Sequence, residues 1–300
     1  MKRLARLFTR PPPDARMPSR SAAPRDAADP AARYAPLPFV FAGRDLAVQW
    51  SAKSACSQVA IWAFHQERLL DAMSDYSGWP HRFRTEVYQP SDTVRRRLDD
   101  LLRARGAGFA LIRITRNPAE RMLSIFRHVC RHDFMDPAIA KHLGLDKARD
   151  GLSVRDFDAL LTALGVADGR KVNIHLRPQA SRLSELAFDR VVTLNMDTHA
   201  LDPGLNAVEA AFALRPTSFD ALPALQRLRA SHYAQDAARP GTDKLADHRF
   251  RPGDTRSFPK RDLLATGLFH DLARRHHAVD TDSVASGDTD GEISFAPRQG

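Results

Sequence analysis

The chain has few cysteines. Cys56 and Cys130 are the only two in 300 residues, too few for a disulfide framework, and a reducing compartment is the simpler reading. It has no run of about 18 apolar residues, which excludes a membrane-spanning helix by hydropathy. Its start, Met1-Lys2-Arg3-Leu4-Ala5-Arg6-Leu7-Phe8, is basic but carries no apolar core, so it does not read as a signal peptide. A Gly-x-x-x-x-Gly-Lys-Ser/Thr loop is absent, as are paired carboxylates for Mg²⁺. Both absences argue against a kinase of the ATP-binding P-loop type. No internal repeat is visible. The expected location is cytoplasmic, and the Ala/Arg/Asp-rich composition suggests a GC-rich bacterial source.

What is present is positive charge. The formal net charge is +9 and the isoelectric point is near 10.0. Such a chain can bind nucleic acid, anionic lipid or an acidic small molecule. Much of the arginine excess sits in residues 1–36, rich in Pro, Ala, Arg and Asp, which read as a disordered tail. Residues 37–280 read as one α/β domain, and 281–300 as a flexible polar tail.

Periodicity predicts strands at Leu46–Trp50, Phe109–Thr115 and Val191–Met196. Helices are expected at Gln58–Met73, Thr93–Arg105, Pro118–Arg131, Ser153–Leu164, Asn206–Leu214, Leu222–His232 and Asp262–His276. Residues 74–92 read as an aromatic and polar loop. Strands alternating with helices imply a parallel, wound sheet.

Two segments about sixty residues apart carry the chemistry. Ala47-Val48-Gln49-Trp50-Ser51-Ala52-Lys53-Ser54-Ala55-Cys56-Ser57 reads as a strand, a turn of small residues and a helix start. Leu111-Ile112-Arg113-Ile114-Thr115-Arg116-Asn117-Pro118 does the same, and leads into Ala119-Glu120-Arg121-Met122-Leu123-Ser124. A helix N-terminus favours an anion, because its free N–H groups and its dipole point there. Two such ends on neighbouring parallel strands would suit a ligand with two separate phosphate-type groups.

This arrangement resembles the sulfotransferases that use 3′-phosphoadenosine 5′-phosphosulfate (PAPS), most closely their carbohydrate branch. Lys53-Ser54-Ala55-Cys56-Ser57 is similar to that superfamily's 5′-phosphosulfate loop. Arg116-Asn117-Pro118-Ala119-Glu120-Arg121-Met122-Leu123-Ser124 is similar to its Arg-Asp-Pro-x-x-Arg-x-x-Ser segment for the 3′-phosphate, with Asn117 where Asp is usual. Asn173-Ile174-His175-Leu176-Arg177-Pro178-Gln179 resembles the His-Trp-x-Pro-Gln segment of the carbohydrate branch, with Leu176 in place of Trp. Phe188–Met196 looks like its next strand. The resemblance spans roughly residues 45–200.

It implies a P-loop-like parallel sheet flanked by helices and a sulfuryl transfer from PAPS, the donor, to an acceptor hydroxyl of a glycan or glycolipid. No metal is needed by this scheme. The implied donor site is Lys53, Ser54, Ala55, Cys56, Ser57, Gln58, Arg116 and Ser124. Lys53 is also implied as catalytic, holding the bridging oxygen. The base would be His175, a group poised near neutral pH, with His65, Glu67 and His81 as rivals. Arg121 reads as a structural partner within its motif.

His128 and His132, at i and i+4, read as an exposed helix face, and His276-His277 as surface. Arg249-Phe250-Arg251-Pro252-Gly253-Asp254 faintly resembles the loop that closes over PAPS in cytosolic sulfotransferases. Three rivals stand beside this reading: a P-loop-like kinase, a sulfotransferase fold without turnover, and a basic nucleic-acid-binding protein using the N-terminal tail and the helix at 93–105. In the main reading no stable nucleic-acid partner is expected. The sequence leaves the oligomeric state open.

Overall fold

The computed structural model describes residues 34, 36–166, 172–232, 235–236 and 245–280. Apart from Tyr34 and Pro36, the tails expected at 1–36 and 281–300 lie outside the described residues. Tyr34 is buried in the cluster that holds Leu101 and Leu111.

The architecture is α/β. Strand β1 (Phe39–Val40) runs antiparallel to β2 (Leu46–Trp50). β2, β3 (Ala110–Thr115) and β4 (Arg190–Asn195) are parallel, in the sheet order β1-β2-β3-β4. The register sets Val48 beside Ile112 and Ile112 beside Val192. A short parallel pair, β5 (Gln235–Asp236) and β6 (Ser257–Phe258), lies apart.

The helices in chain order are α1 (Cys56–Gln66), α2 (Leu70–Tyr76), α3 (Pro80–Phe83), α4 (Asp92–Arg103), α5 (Pro118–Arg131), α6 (Asp136–Leu143), α7 (Lys147–Asp150), α8 (Val154–Leu164), α9 (Leu201–Ala211), α10 (Pro223–His232), α11 (Lys260–Ala265) and α12 (Leu268–His276).

β2 is buried at every position, as expected of a parallel strand covered on both faces. On one face Val48, Trp50, Ile112, Ile114, Val192 and Leu194 pack with Ile61 and Trp62 of α1, Leu205 and Val208 of α9 and Leu225 of α10. On the other, Ala47 and Leu111 meet Leu101 of α4 and Leu183. A separate helical core centres on Phe126 of α5, whose ring packs against Phe157, Phe250, Phe258 and Phe269.

Several expected boundaries move for local reasons. The helix expected at Gln58–Met73 breaks into α1 and α2, because Arg68 turns left-handed at φ 60°. The expected loop at 74–92 contains α3, opened by Pro80 at its first turn, and a single π-helical stretch, Arg84–Tyr88. That stretch brings Phe83 and Tyr88 together onto Phe64. The expected helix at Asn206–Leu214 lies earlier, at Leu201–Ala211. The one expected at Asp262–His276 divides at Gly267, which sits at φ 76°. Ser153 caps α8 as expected, in a reciprocal capping box with Asp156. No helix among the described residues is long and apolar enough to cross a membrane.

Candidate functional site

Parallel strands end on the same edge of a sheet, and ligand clefts form beyond that edge. β2 ends at Trp50, and the turn after it is internally braced. Ser51 and Ser54 share a hydrogen bond of 2.8 Å between hydroxyls, and Ser54 is fully buried. Lys53 and Ala55 both adopt left-handed backbone, φ 71° and 51°. Non-glycine residues take that conformation at a cost of roughly 1–3 kcal/mol, and such strain concentrates at functional turns.

Ala55 is the N-cap of α1 and has no side chain with which to cap it. The helix thus opens without a side-chain acceptor for its first N–H groups. Elsewhere such groups are satisfied locally: Asn117 Oδ1 accepts from Ala119 and Glu120 at the start of α5. The departure from the usual Asp at position 117 therefore leaves the cap intact, since Asn and Asp cap about equally well.

A cleft of ≈ 330 Å³ lies against this helix start. Ligand sites fall in a range of about 300–1,000 Å³. Lys53, Ala55, Cys56, Ser57, Gln58, Arg116, Ser124 and His175 all line it. Of the residues expected in the donor and catalytic set, Ser54 alone is absent from the lining, because its hydroxyl is turned inward to Ser51. Gln58 is nearly buried, and its amide donates to Asp202, tying α1 to α9. Ser57 Oγ lies 3.0 Å from His81 Nε2, which joins the first turn of α1 to α3.

Arg116 is held at three points. Its guanidinium donates to the Lys53 carbonyl at 2.9 Å and to Glu120 at 2.9 Å. Gln179 clamps its backbone, accepting from Arg116 N at 3.2 Å and donating to Arg116 O at 2.8 Å. The segment Asn173–Gln179 therefore does two things. Gln179 fixes Arg116, and His175 faces the cleft.

Arg121 is fully buried and holds the assembly together. It donates to Ala52 O at 3.0 Å and Arg177 O at 2.5 Å, and lies 3.2 Å from His277 Nδ1 and 3.5 Å from Asp280. Asp280 in turn accepts from the N–H groups of Gln179 and Ala180. The expectation that His276 and His277 are surface residues is thus corrected. Both are buried, His276 against Asp158 and His277 against Leu176 O. The segment at Arg249–Asp254 does not border the cleft. Phe250 is in the helical core and pairs with Leu152.

The expectation of an exposed face at His128 and His132 holds for His132 and is corrected for His128, which is half-buried. Ser124, Arg127, His128 and Arg131 recur at i, i+3, i+4 and i+7 on α5, and all four line the cleft together with His132. The opposite stripe, Met122, Ile125, Phe126 and Val129, fills the helical core. The His128 ring lies 4.5 Å from His175 and 4.4 Å from His132. No cluster of three metal-ligating side chains occurs among the described residues. Trp79, Leu228 and Lys260 complete the wall. The sequence shows the polar stripe continuing from Ser124 through Arg127, His128 and Arg131, but such a stripe reads as a solvated face without the wall opposite it.

Two of the rival bases are remote. His65 lies in the last turn of α1, where Arg215 donates to its carbonyl, and Glu67 follows that helix, bonded to Ala42 N and Tyr88. His81 remains at the cleft.

Lysine, arginine and histidine side chains line this cleft, and among the described residues no carboxylate does. The carboxylates Glu120, Asp197 and Asp202 belong to an adjoining cleft of ≈ 450 Å³ that shares Arg116 and Lys260. The consequences for titration are large. Burial, and then the charges of Arg127, Arg116 and Arg131, hold the Lys53 ammonium down to about 8, against a partial upward pull from Cys56. Burial and then Lys53, His81, His132 and Arg121 push His175 down to about 4. Burial alone would raise the Cys56 thiol, but the hydrogen bond and charge of His81, with Lys53, outweigh it and leave it at about 6. Perturbed titratable groups gathered in a cleft are a mark of functional sites.

No protein-family model, no curated protein and no solved structure matches the chain.

Proposed function

We propose that the protein is a PAPS-dependent sulfotransferase acting on an acceptor hydroxyl, with a carbohydrate or glycolipid as the acceptor class. The observation that carries this reading is the cleft without carboxylates between the ends of β2 and β3, where Lys53, the uncapped start of α1, Arg116 and Ser124 converge. A donor with phosphate-type groups at both ends finds a cation and hydroxyls at each. Arg116 and Ser124 would anchor the 3′-phosphate and so orient the donor. Lys53 and the N–H groups at the start of α1 would hold the phosphosulfate.

The reaction is a single displacement. The acceptor oxygen forms a bond to sulfur as the bond from sulfur to the bridging phosphate oxygen breaks. Lys53 stabilises charge gathering on that bridging oxygen. His175 takes the acceptor proton. Asn173 Oδ1 accepts from His175 N at 3.0 Å, which fixes it as the oxygen, and it lies 2.9 Å from His175 Nδ1. Nδ1 therefore carries the hydrogen and Nε2 has the free lone pair. With its pKa near 4, His175 is uncharged at neutral pH and able to accept.

The test is calorimetric titration of the desulfated donor product, 3′-phosphoadenosine 5′-phosphate (PAP), without metal. Wild type is expected to bind, and Arg116→Ala to bind at least about 30-fold more weakly, since charged hydrogen bonds contribute on the order of 2 kcal/mol. Equal affinity for PAP and AMP, or no loss in the variant, would refute the 3′-phosphate role.

A further inference from the structure

The polar stripe of α5 runs on past Ser124, the last of the residues expected to bind the donor. Arg116 and Ser124 sit at its N-terminal end. At 1.5 Å of rise per residue, Arg127 and Arg131 lie about 4.5 and 10.5 Å further along the helix axis than Ser124. Both face the cleft and they are one turn apart, where like charges repel. Arg127 Nε donates to Thr255 O at 2.9 Å, which fixes its guanidinium. Its charge faces two other cations, Arg131 and Lys53. Among the described residues no carboxylate forms an ion pair with either arginine, and none lines this cleft.

This end of the cleft also holds the candidate base. His128, between the two arginines in sequence, has its ring 4.5 Å from that of His175. The group that gives up its proton to His175 must therefore arrive beside an uncompensated pair of guanidinium groups. Such pairs are built to hold an oxyanion, through planar, bidentate hydrogen bonds.

We propose that Arg127 and Arg131 form a second oxyanion site, which takes a sulfate, phosphate or carboxylate substituent carried by the acceptor itself. The acceptor is then an anionic glycan or glycolipid rather than a neutral one. The assignment of this end to the acceptor rests on the donor reading above.

The experiment loads the protein with saturating PAP and titrates it with inorganic sulfate by calorimetry. It is run on wild type, Arg127→Gln/Arg131→Gln, Lys53→Ala, and a control of equal charge loss on exposed α4, Arg95→Gln/Arg96→Gln. Circular dichroism checks each fold. Wild type and the α4 control should bind sulfate on top of PAP. The Arg127→Gln/Arg131→Gln variant should lose at least tenfold in sulfate affinity while its PAP affinity stays within about twofold. The proposal is overturned if PAP-loaded wild type takes no sulfate, if the loss occurs only in Lys53→Ala, if the α4 control loses as much, or if PAP affinity falls along with sulfate. Wild type that binds sulfate through Arg127 and Arg131 but takes no PAP keeps the oxyanion site and removes the donor reading.

Discussion

Replacing Arg121 by methionine should be among the most damaging single changes in the chain. The side chain is fully buried, and four groups depend on it: the carbonyls of Ala52 and Arg177, the ring of His277 and the carboxylate of Asp280. Burial lowers the guanidinium to about 10, with Asp280 pulling it back up, so it remains charged at neutral pH. Methionine fills much of the volume but donates nothing. Two carbonyls lose charged donors, and Asp280 loses its buried cation while the bonds from Gln179 and Ala180 remain. Removing one partner of a buried pair costs about 3–5 kcal/mol, because the other charge stays buried. Urea unfolding followed by circular dichroism measures this. Asp280→Asn, made in the same background, separates the pair from the packing. The Arg121→Met/Asp280→Asn double variant should be less damaged than the sum of its singles by about 1–3 kcal/mol. A single-variant loss under about 1 kcal/mol, or strict additivity, would refute the claim that this buried pair is the tie between β2, α5 and the segment at 177–180.

Other outcomes follow from the same charges. Cys56 should alkylate with iodoacetamide down to about pH 6, where its thiolate begins to disappear, and PAP should protect it; buried Cys130, its thiol pushed up by burial, should stay unmodified in the native protein, as mass spectrometry would show. His175→Ala should lower kcat by about 10²–10⁴ with PAP affinity unchanged, and an equal loss in PAP binding would count against a role as base. Turnover should decline above about pH 8, as Lys53 loses its proton, and should persist in mild acid until His175 gains one near 4. Burial holds His277 at about 3, below its ordinary value near 6.5, so the unfolded chain takes up a proton through that window while the native state does not. Stability should therefore fall as pH drops from about 6.5 towards 3, by on the order of 4 kcal/mol from this residue, and His277→Gln should flatten that slope in urea titrations.

The sequence by itself determined the local events. Buried apolar runs stop at Trp50 and Thr115. Small residues follow the first, Asn117-Pro118 follows the second, and a helix opens after each. These depend on neighbours within a few residues, so backbone sterics, capping and hydrophobic period suffice to read them. The polar residues at and after the two strand ends, Lys53, Ser57, Arg116 and Ser124, stood out in the sequence for the same reason, while the turn that carries His175 was expected to be extended. What only the tertiary structure decided depends on contacts across long separations. Register places β2 beside β3 and so brings Lys53 to Arg116. Nothing in the local pattern says which face of α5 meets the cleft, and a polar stripe reads as solvated until a wall stands opposite it; His128, Arg127 and Arg131 were hidden for that reason. His277 and Asp280 look like polar residues near a chain end. They are buried because Arg121, about 160 residues away in sequence, must have its charge answered, and only the fold brings that answer within reach.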